Sequence, residues 1–128
     1  MKQPVAEKNE TTAAVTLTTA AFTNAANPHN LIVVWLWYHS LVQTVSIVTD
    51  TGGNVYQRAV GPTAGAAGGT IAGFQQEIWY AKNINGGTNF TVTATFSPMP
   101  AVAFERSINA HEYSGACDRS ARRDQRGG

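Results

Sequence analysis

The chain has 128 residues, a formal net charge of +1 and only 13% charged residues, roughly half of the usual quarter. Between Thr11 and Cys117 it carries three basic side chains (Arg58, Lys82, Arg106) and four acidic ones (Asp50, Glu77, Glu105, Glu112). That balance lacks the basic stripe a body needs to bind nucleic acid and offers a charged substrate little to follow, so the expected partner is neutral.

Residues 1–10, "MKQPVAEKNE", are polar and read as a flexible lead-in, with no apolar stretch behind the lysine to form a secretory leader. "AAVTLTTAAF" alternates small and β-branched residues and predicts a first strand. "NAANPHN" is a turn in which Pro28 bars regular pairing. The apolar strand "LIVVWLWY" follows at 31–38, then "QTVSIVTD", with Val45 and Ile47 expected on one face. "DTGGN" is a hairpin turn of residues that tolerate positive φ. The chain returns through "VYQRAV", where Val55, Gln57 and Ala59 alternate against Tyr56, Arg58 and Val60.

"GPTAGAAGGTIAG" predicts a long flexible loop, and "INGGTN" a second hairpin. Between them, "FQQEIWYAKN" places Phe74, Gln76, Ile78 and Tyr80 on a face that reads as core, with Gln75, Glu77 and Trp79 opposite. In "FTVTATF", Phe90, Val92, Ala94 and Phe96 oppose Thr91, Thr93 and Thr95, and "FERSINAHEYSG" reads as the last strand. Short strands separated by Gly/Asn turns predict a single-domain, all-β fold, an antiparallel two-sheet β-sandwich of immunoglobulin or jelly-roll type. The domain is expected to span 11–117. The Arg-rich tail 118–128 has no apolar face and reads as a solvated terminus outside the fold, the rival reading being an arm for nucleic acid or an acidic surface.

Chemistry-bearing groups are sparse. The one cysteine, Cys117, excludes an internal disulfide and a cysteine-based zinc site. The histidines His29, His39 and His111 are scattered, and no Gly-x-Ser-x-Gly elbow occurs. Glycoside hydrolysis needs a spaced pair of carboxylates, and no motif ties any two of the acids together. A non-catalytic protein is expected. Asp50, Asn54 and backbone carbonyls of "TDTGGN" could ligate calcium, although a plain turn explains the same glycines. The longest apolar run, about eight residues, is too short to cross a membrane as a helix.

The aromatic residues carry more. Trp35 and Trp37 share one face of their strand, roughly 7 Å apart. Either they fill the core or they present two flat rings to solvent, leaving Ile32, Val34 and Leu36 to pack inside. Flat rings cover the apolar face of a sugar while amides and carboxylates hold its hydroxyls. With Trp79 on the same sheet face, the candidate site comprises Trp35, Trp37 and Trp79 for stacking and Gln75, Glu77 and Arg58 for hydrogen bonds. Asn109 and His111 are weaker candidates on the last strand.

"VTDTGGNVYQRAVGPT", "IWYAKNINGGTNFTVTATF" and "EYSG" together resemble a bacterial β-sandwich domain of secreted and surface proteins, over about Ala14 to Gly115. The glycan-binding members of that group resemble carbohydrate-binding module family 81. The resemblance implies a β-glucan or cellulose-chain ligand, a secreted location and an appended glycoside hydrolase. It also implies that Trp35 and Trp37 are additions, since related domains carry small or aliphatic residues there and a tryptophan near the position of Tyr38. The Trp79 position is often tyrosine in such domains, and the tail after "EYSG" departs from their pattern. The rival expectation is a structural spacer or adhesion domain whose exposed aromatics meet another protein.

Overall fold

The alternation of the sequence resolves into eight strands. A computed structural model describes residues 6–10, 15–40, 43–64, 74–97 and 105–114. The strands are β1 (Ala6–Glu10), β2 (Thr16–Thr18), β3 (Leu31–Tyr38), β4 (Thr44–Asp50), β5 (Gln57–Ala64), β6 (Gln75–Ala81), β7 (Val92–Ser97) and β8 (Arg106–Tyr113). They form a five-stranded sheet of order β1-β8-β3-β6-β5 and a three-stranded sheet of order β2-β7-β4. Every pairing is antiparallel. The two sheets share one apolar core, so the fold is the expected β-sandwich. Residues 65–73 of the Gly-rich loop, Cys117 and the tail 118–128 lie outside the described residues.

The core follows the period-two rule. Ile32, Val34, Leu36 and Tyr38 of β3 pack against Val92, Ala94 and Phe96 of β7 in the opposite layer, with Ile108 and Ala110 of β8 alongside. The Tyr38 and Phe96 rings meet edge to face across the layers, 5.2 Å between centroids, a favoured aromatic geometry. Phe22 and Phe90 make a second ring pair at 5.2 Å.

Three expectations about the strands need correction. The supposed lead-in contains β1, which pairs with β8 in register Ala6↔Ala110 to Glu10↔Arg106, and Ala6 is buried. Its polar sequence hid the strand because one short edge strand can be held by ladder hydrogen bonds with a single inward apolar residue. In β4, a bulge between Val45 and Ile47 changes the phase, so Val45 and Val48 are buried while Ile47 is 49% exposed. In β5, irregularities after Arg58 and after Val60 do the same: Arg58 pairs with Trp79 but Val60 pairs with Ile78 on the other face. Gly61 helps the edge strand bend here. Its φ is +97°, and a Cβ would sit 2.5 Å from the Gln76 carbonyl oxygen.

A buried polar cluster joins the layers. Glu77 is 0% exposed. Its Oε2 accepts hydrogen bonds from Tyr38 Oη at 2.5 Å and from the Val45 backbone N–H at 3.0 Å. Its Oε1 accepts from Arg58 Nε at 2.9 Å and Trp79 Nε1 at 3.0 Å. Arg58 Nη2 donates in turn to the Val45 carbonyl at 2.7 Å, and its guanidinium lies over the Trp79 ring, 4.8 Å from the centroid. Because 38% of the Arg58 side chain remains in solvent, the ion pair is partly screened. The dry donors, Tyr38, Val45 and Trp79, bear most of the dependence on this carboxylate.

Replacing Glu77 by Ala should therefore lower stability by about 3–5 kcal/mol, since buried donors lose their acceptor together. Urea unfolding followed by circular dichroism measures it, and a loss below about 1 kcal/mol would show that the cluster is dispensable. Alkali should act on the same region. Burial and then the Glu77 hydrogen bond raise the Tyr38 phenol far above its ordinary value of 10.0, and burial and then Asp50 do so for Tyr56. Both phenols keep their protons when folded and lose them more readily when unfolded, so stability is full below pH 10 and falls as pH rises past it. Part of the phenolate absorbance should then develop only together with the loss of near-ultraviolet circular dichroism.

Candidate functional site

β3 lies at the centre of the five-stranded sheet, and its alternation decides the site. With Ile32, Val34, Leu36 and Tyr38 turned inward, Leu31, Val33, Trp35 and Trp37 face away from the sandwich. Trp35 is 39% exposed and Trp37 half-buried. The paired indoles are thus on the solvent side.

Register places their neighbours. On β6, Gln76 lies opposite Trp37, Ile78 opposite Trp35 and Tyr80 opposite Val33. On β8, Ser107 lies opposite Trp37, Asn109 opposite Trp35 and His111 opposite Val33. β5 extends the surface with Val60 beside Ile78 and Gln57 beside Tyr80. The result is a broad sheet face, largely apolar and aromatic, with amides set among the rings. Neither β3 nor β6 contributes a charged side chain to it.

Several contacts fix the rings. Trp35 Nε1 donates to Gln76 Oε1 at 3.2 Å. Trp37 meets Phe74 edge to face at 5.4 Å, and Phe74 stacks on His39 at 4.4 Å, which continues the aromatic strip past the end of β3. Tyr80 Oη donates to Gln57 Oε1 at 2.8 Å. On the β8 side, the His111 and Tyr113 rings are near-parallel at 6.4 Å. Burial pushes the His111 imidazole below its usual pKa, which favours its uncharged form on this face.

Trp35 and Trp37 are brought together as expected, but the rest of the anticipated set divides. Trp79, at 6% exposure, is a core residue paired with Val34, not a third platform ring. Glu77 and Gln75 are also on the inner face, opposite Leu36 and Tyr38. Gln75 Nε2 donates to the carbonyls of Ser40 at 2.6 Å and Gln43 at 3.3 Å. Arg58 is committed to Glu77 and the Val45 carbonyl. Gln75, Glu77 and Trp79 belong to the structural interior, and the part-exposed Arg58 is tied to it, because each polar group finds a partner within the protein. Asn109 does sit on the outward face but is buried, its Nδ2 donating to Ser107 Oγ at 3.1 Å. His111 is half-buried on the same face.

Phe74, Gln76, Ile78 and Tyr80 were grouped correctly by alternation and assigned to the wrong side. Placing the β3 indoles outside does not orient β6 by itself; the cross-strand register does, with Gln76 opposite Trp37 and Ile78 opposite Trp35. The Asp50 turn, considered for calcium, is closed by its own donors. Asp50 Oδ1 accepts from the N–H groups of Gly52 at 2.9 Å and Asn54 at 3.1 Å, and Oδ2 from Tyr56 Oη at 2.8 Å and Asn54 Nδ2 at 2.9 Å. Among the described residues, no group of three or more His, Cys, Asp or Glu side chains could hold a metal ion. Glu112 is buried as well, accepting from the Asn27 N–H at 2.9 Å and Asn30 Nδ2 at 2.7 Å.

Comparison with known proteins finds no matching family model, no matching curated protein and no matching solved structure.

Proposed function

We propose that this protein is a non-catalytic carbohydrate-binding module that holds a neutral β-glucan chain, such as a cello-oligosaccharide or mixed-linkage glucan. The observation that carries the reading is the pair of indoles, Trp35 and Trp37, set side by side on a solvent-facing sheet surface. A pyranose ring has an apolar face that stacks on such rings and a rim of hydroxyls that amides can meet. The absence of charged groups from the β3 and β6 part of this face suits an uncharged ligand. The earlier expectation of a secreted module that brings an attached glycoside hydrolase to plant cell wall is part of the same reading, and it rests on the resemblance alone.

The site differs from the one expected at first. Trp35 and Trp37 remain the stacking residues, Phe74 and Tyr80 replace Trp79 as flanking rings, and Gln76 replaces Gln75 and Glu77 as the nearest polar group. Two rings spaced along one strand favour a ligand that is itself extended. By analogy with bases on aromatic platforms, each stacked ring contributes about 1–3 kcal/mol, which places affinity in the micromolar range at best.

A second reading has its own observation. Val60 is 54% exposed and, with Ile78, extends the apolar surface sideways across the sheet. A protein partner or a second copy would use that breadth, as a spacer or adhesion domain does.

Titration of intrinsic tryptophan fluorescence with cellopentaose, barley β-glucan and mannan separates the two. The glucan reading expects a saturable blue shift with the first two only. Trp37→Ala should weaken that binding at least tenfold, the loss of about one stacked ring, with the melting temperature almost unchanged. No response to any glycan, together with dimerisation in sedimentation, would transfer the face to the protein-contact reading.

A further inference from the structure

The outward face carries few polar groups able to meet a ligand, and hydrogen bonding within the protein limits them further. Asn109 is buried and its Nδ2 already donates to Ser107. The Tyr80 hydroxyl donates to Gln57. Gln76 is different: it is exposed, lies cross-strand from Trp37, and receives the indole N–H of Trp35. Its side chain therefore lies alongside both rings, beside Trp37 and reaching diagonally to Trp35.

The indole contact also determines which way the amide points. An indole nitrogen is a donor only, so the atom of Gln76 facing Trp35 must be the oxygen. Nε2, with its two N–H donors, is then turned away from Trp35 and meets no acceptor among the described residues. On the same face the Tyr80 hydroxyl donates to Gln57 Oε1, but a phenol, unlike an indole, could equally accept from an amide. Only the indole, which cannot accept, fixes its glutamine so that donors are presented away from the ring.

We infer that Gln76 is the hydrogen-bonding residue that sets the position of a sugar on the Trp35–Trp37 pair, donating from Nε2 to a hydroxyl or ring oxygen of the stacked unit. The inference rests on the carbohydrate reading and adds a specificity residue to it. It also narrows the ligand: stacking alone accepts any flat apolar face, whereas a fixed amide donor requires an oxygen acceptor alongside the rings. The amide is held before the ligand arrives, so little side-chain freedom is lost on binding.

The test compares the wild-type protein with Gln76→Glu and Gln76→Met by calorimetric titration with cellopentaose, using near-ultraviolet circular dichroism to follow the indoles. Glutamate can still accept from Trp35 Nε1 but, when ionised, cannot donate, so its aromatic spectrum should match the wild type. Methionine is uncharged, so any loss in that variant is not due to introduced charge. Both variants should bind at least tenfold more weakly. Wild-type-like affinity in either variant overturns the assignment to Gln76 while leaving the platform intact. If the wild-type protein binds neither cellopentaose nor barley β-glucan, the carbohydrate reading fails and takes this inference with it.

Discussion

The buried carboxylate of Glu77 fixes which way β6 faces, and the functional surface follows from that. A charged group without solvent contact persists only where its lone pairs are filled. Four donors fill them here, from Tyr38 on β3, the Val45 amide on β4, Arg58 on β5 and Trp79 on β6 itself. Two of those strands flank β6 and the third belongs to the other sheet. A slip of β6 by one residue would carry Glu77 and Trp79 to solvent together and leave the Tyr38 hydroxyl and the Val45 N–H without their acceptor. With Glu77 inside, Gln76, Ile78 and Tyr80 must be outside, beside the indoles of β3.

The fold class was legible because turns and alternation are local. "FTVTATF" alternates so regularly that its buried residues, Val92, Ala94 and Phe96, could be named without a partner strand. The inward set of β3 was one of the two options its pattern allowed. What could not be read was the orientation of β6. Gln75 and Glu77 looked like surface residues because a polar side chain is usually solvated, and the donors that reverse this lie 19 to 39 positions away in sequence. The same holds for the bulges in β4 and β5, each of which reverses a face through one irregular residue that period-two reasoning cannot place. β1 was missed for the opposite reason. Its inward contribution is small, and its pairing with β8 joins chain segments about a hundred residues apart.

The candidate site was thus half legible. Trp35 and Trp37 were identifiable because two indoles at i and i+2 are unusual in a strand that has other apolar residues for its core. Trp79 could not be separated from them by composition. An indole in the core needs an acceptor for its N–H, and for Trp79 that acceptor is Glu77, two residues back on the same face. Once Glu77 is known to be buried, the burial of Trp79 follows. Of the polar residues first assigned to the ligand, Gln75, Glu77 and Arg58 are the ones that hold strands and layers together.

The low surface charge that pointed to a neutral partner has a structural origin. Of the seven charged side chains between residues 11 and 117, Glu77, Arg106 and Glu112 are buried. Arg58 is tied to Glu77, and Asp50 closes its own turn. Charge is spent on joining layers and fixing turns, where the surrounding medium strengthens it. Little is left for the faces of the sheets. On β3 and β6 the outward face is built of indole, phenol, aliphatic and amide groups, and charge enters at its β1 edge with the exposed Glu7, opposite Asn109, so around the indoles themselves ligands are not ranked by charge. Discrimination has to come from ring planarity and from the few oriented hydrogen bonds. This is why the direction of one glutamine amide, set by an indole N–H, carries more weight here than it would on an ordinary charged surface.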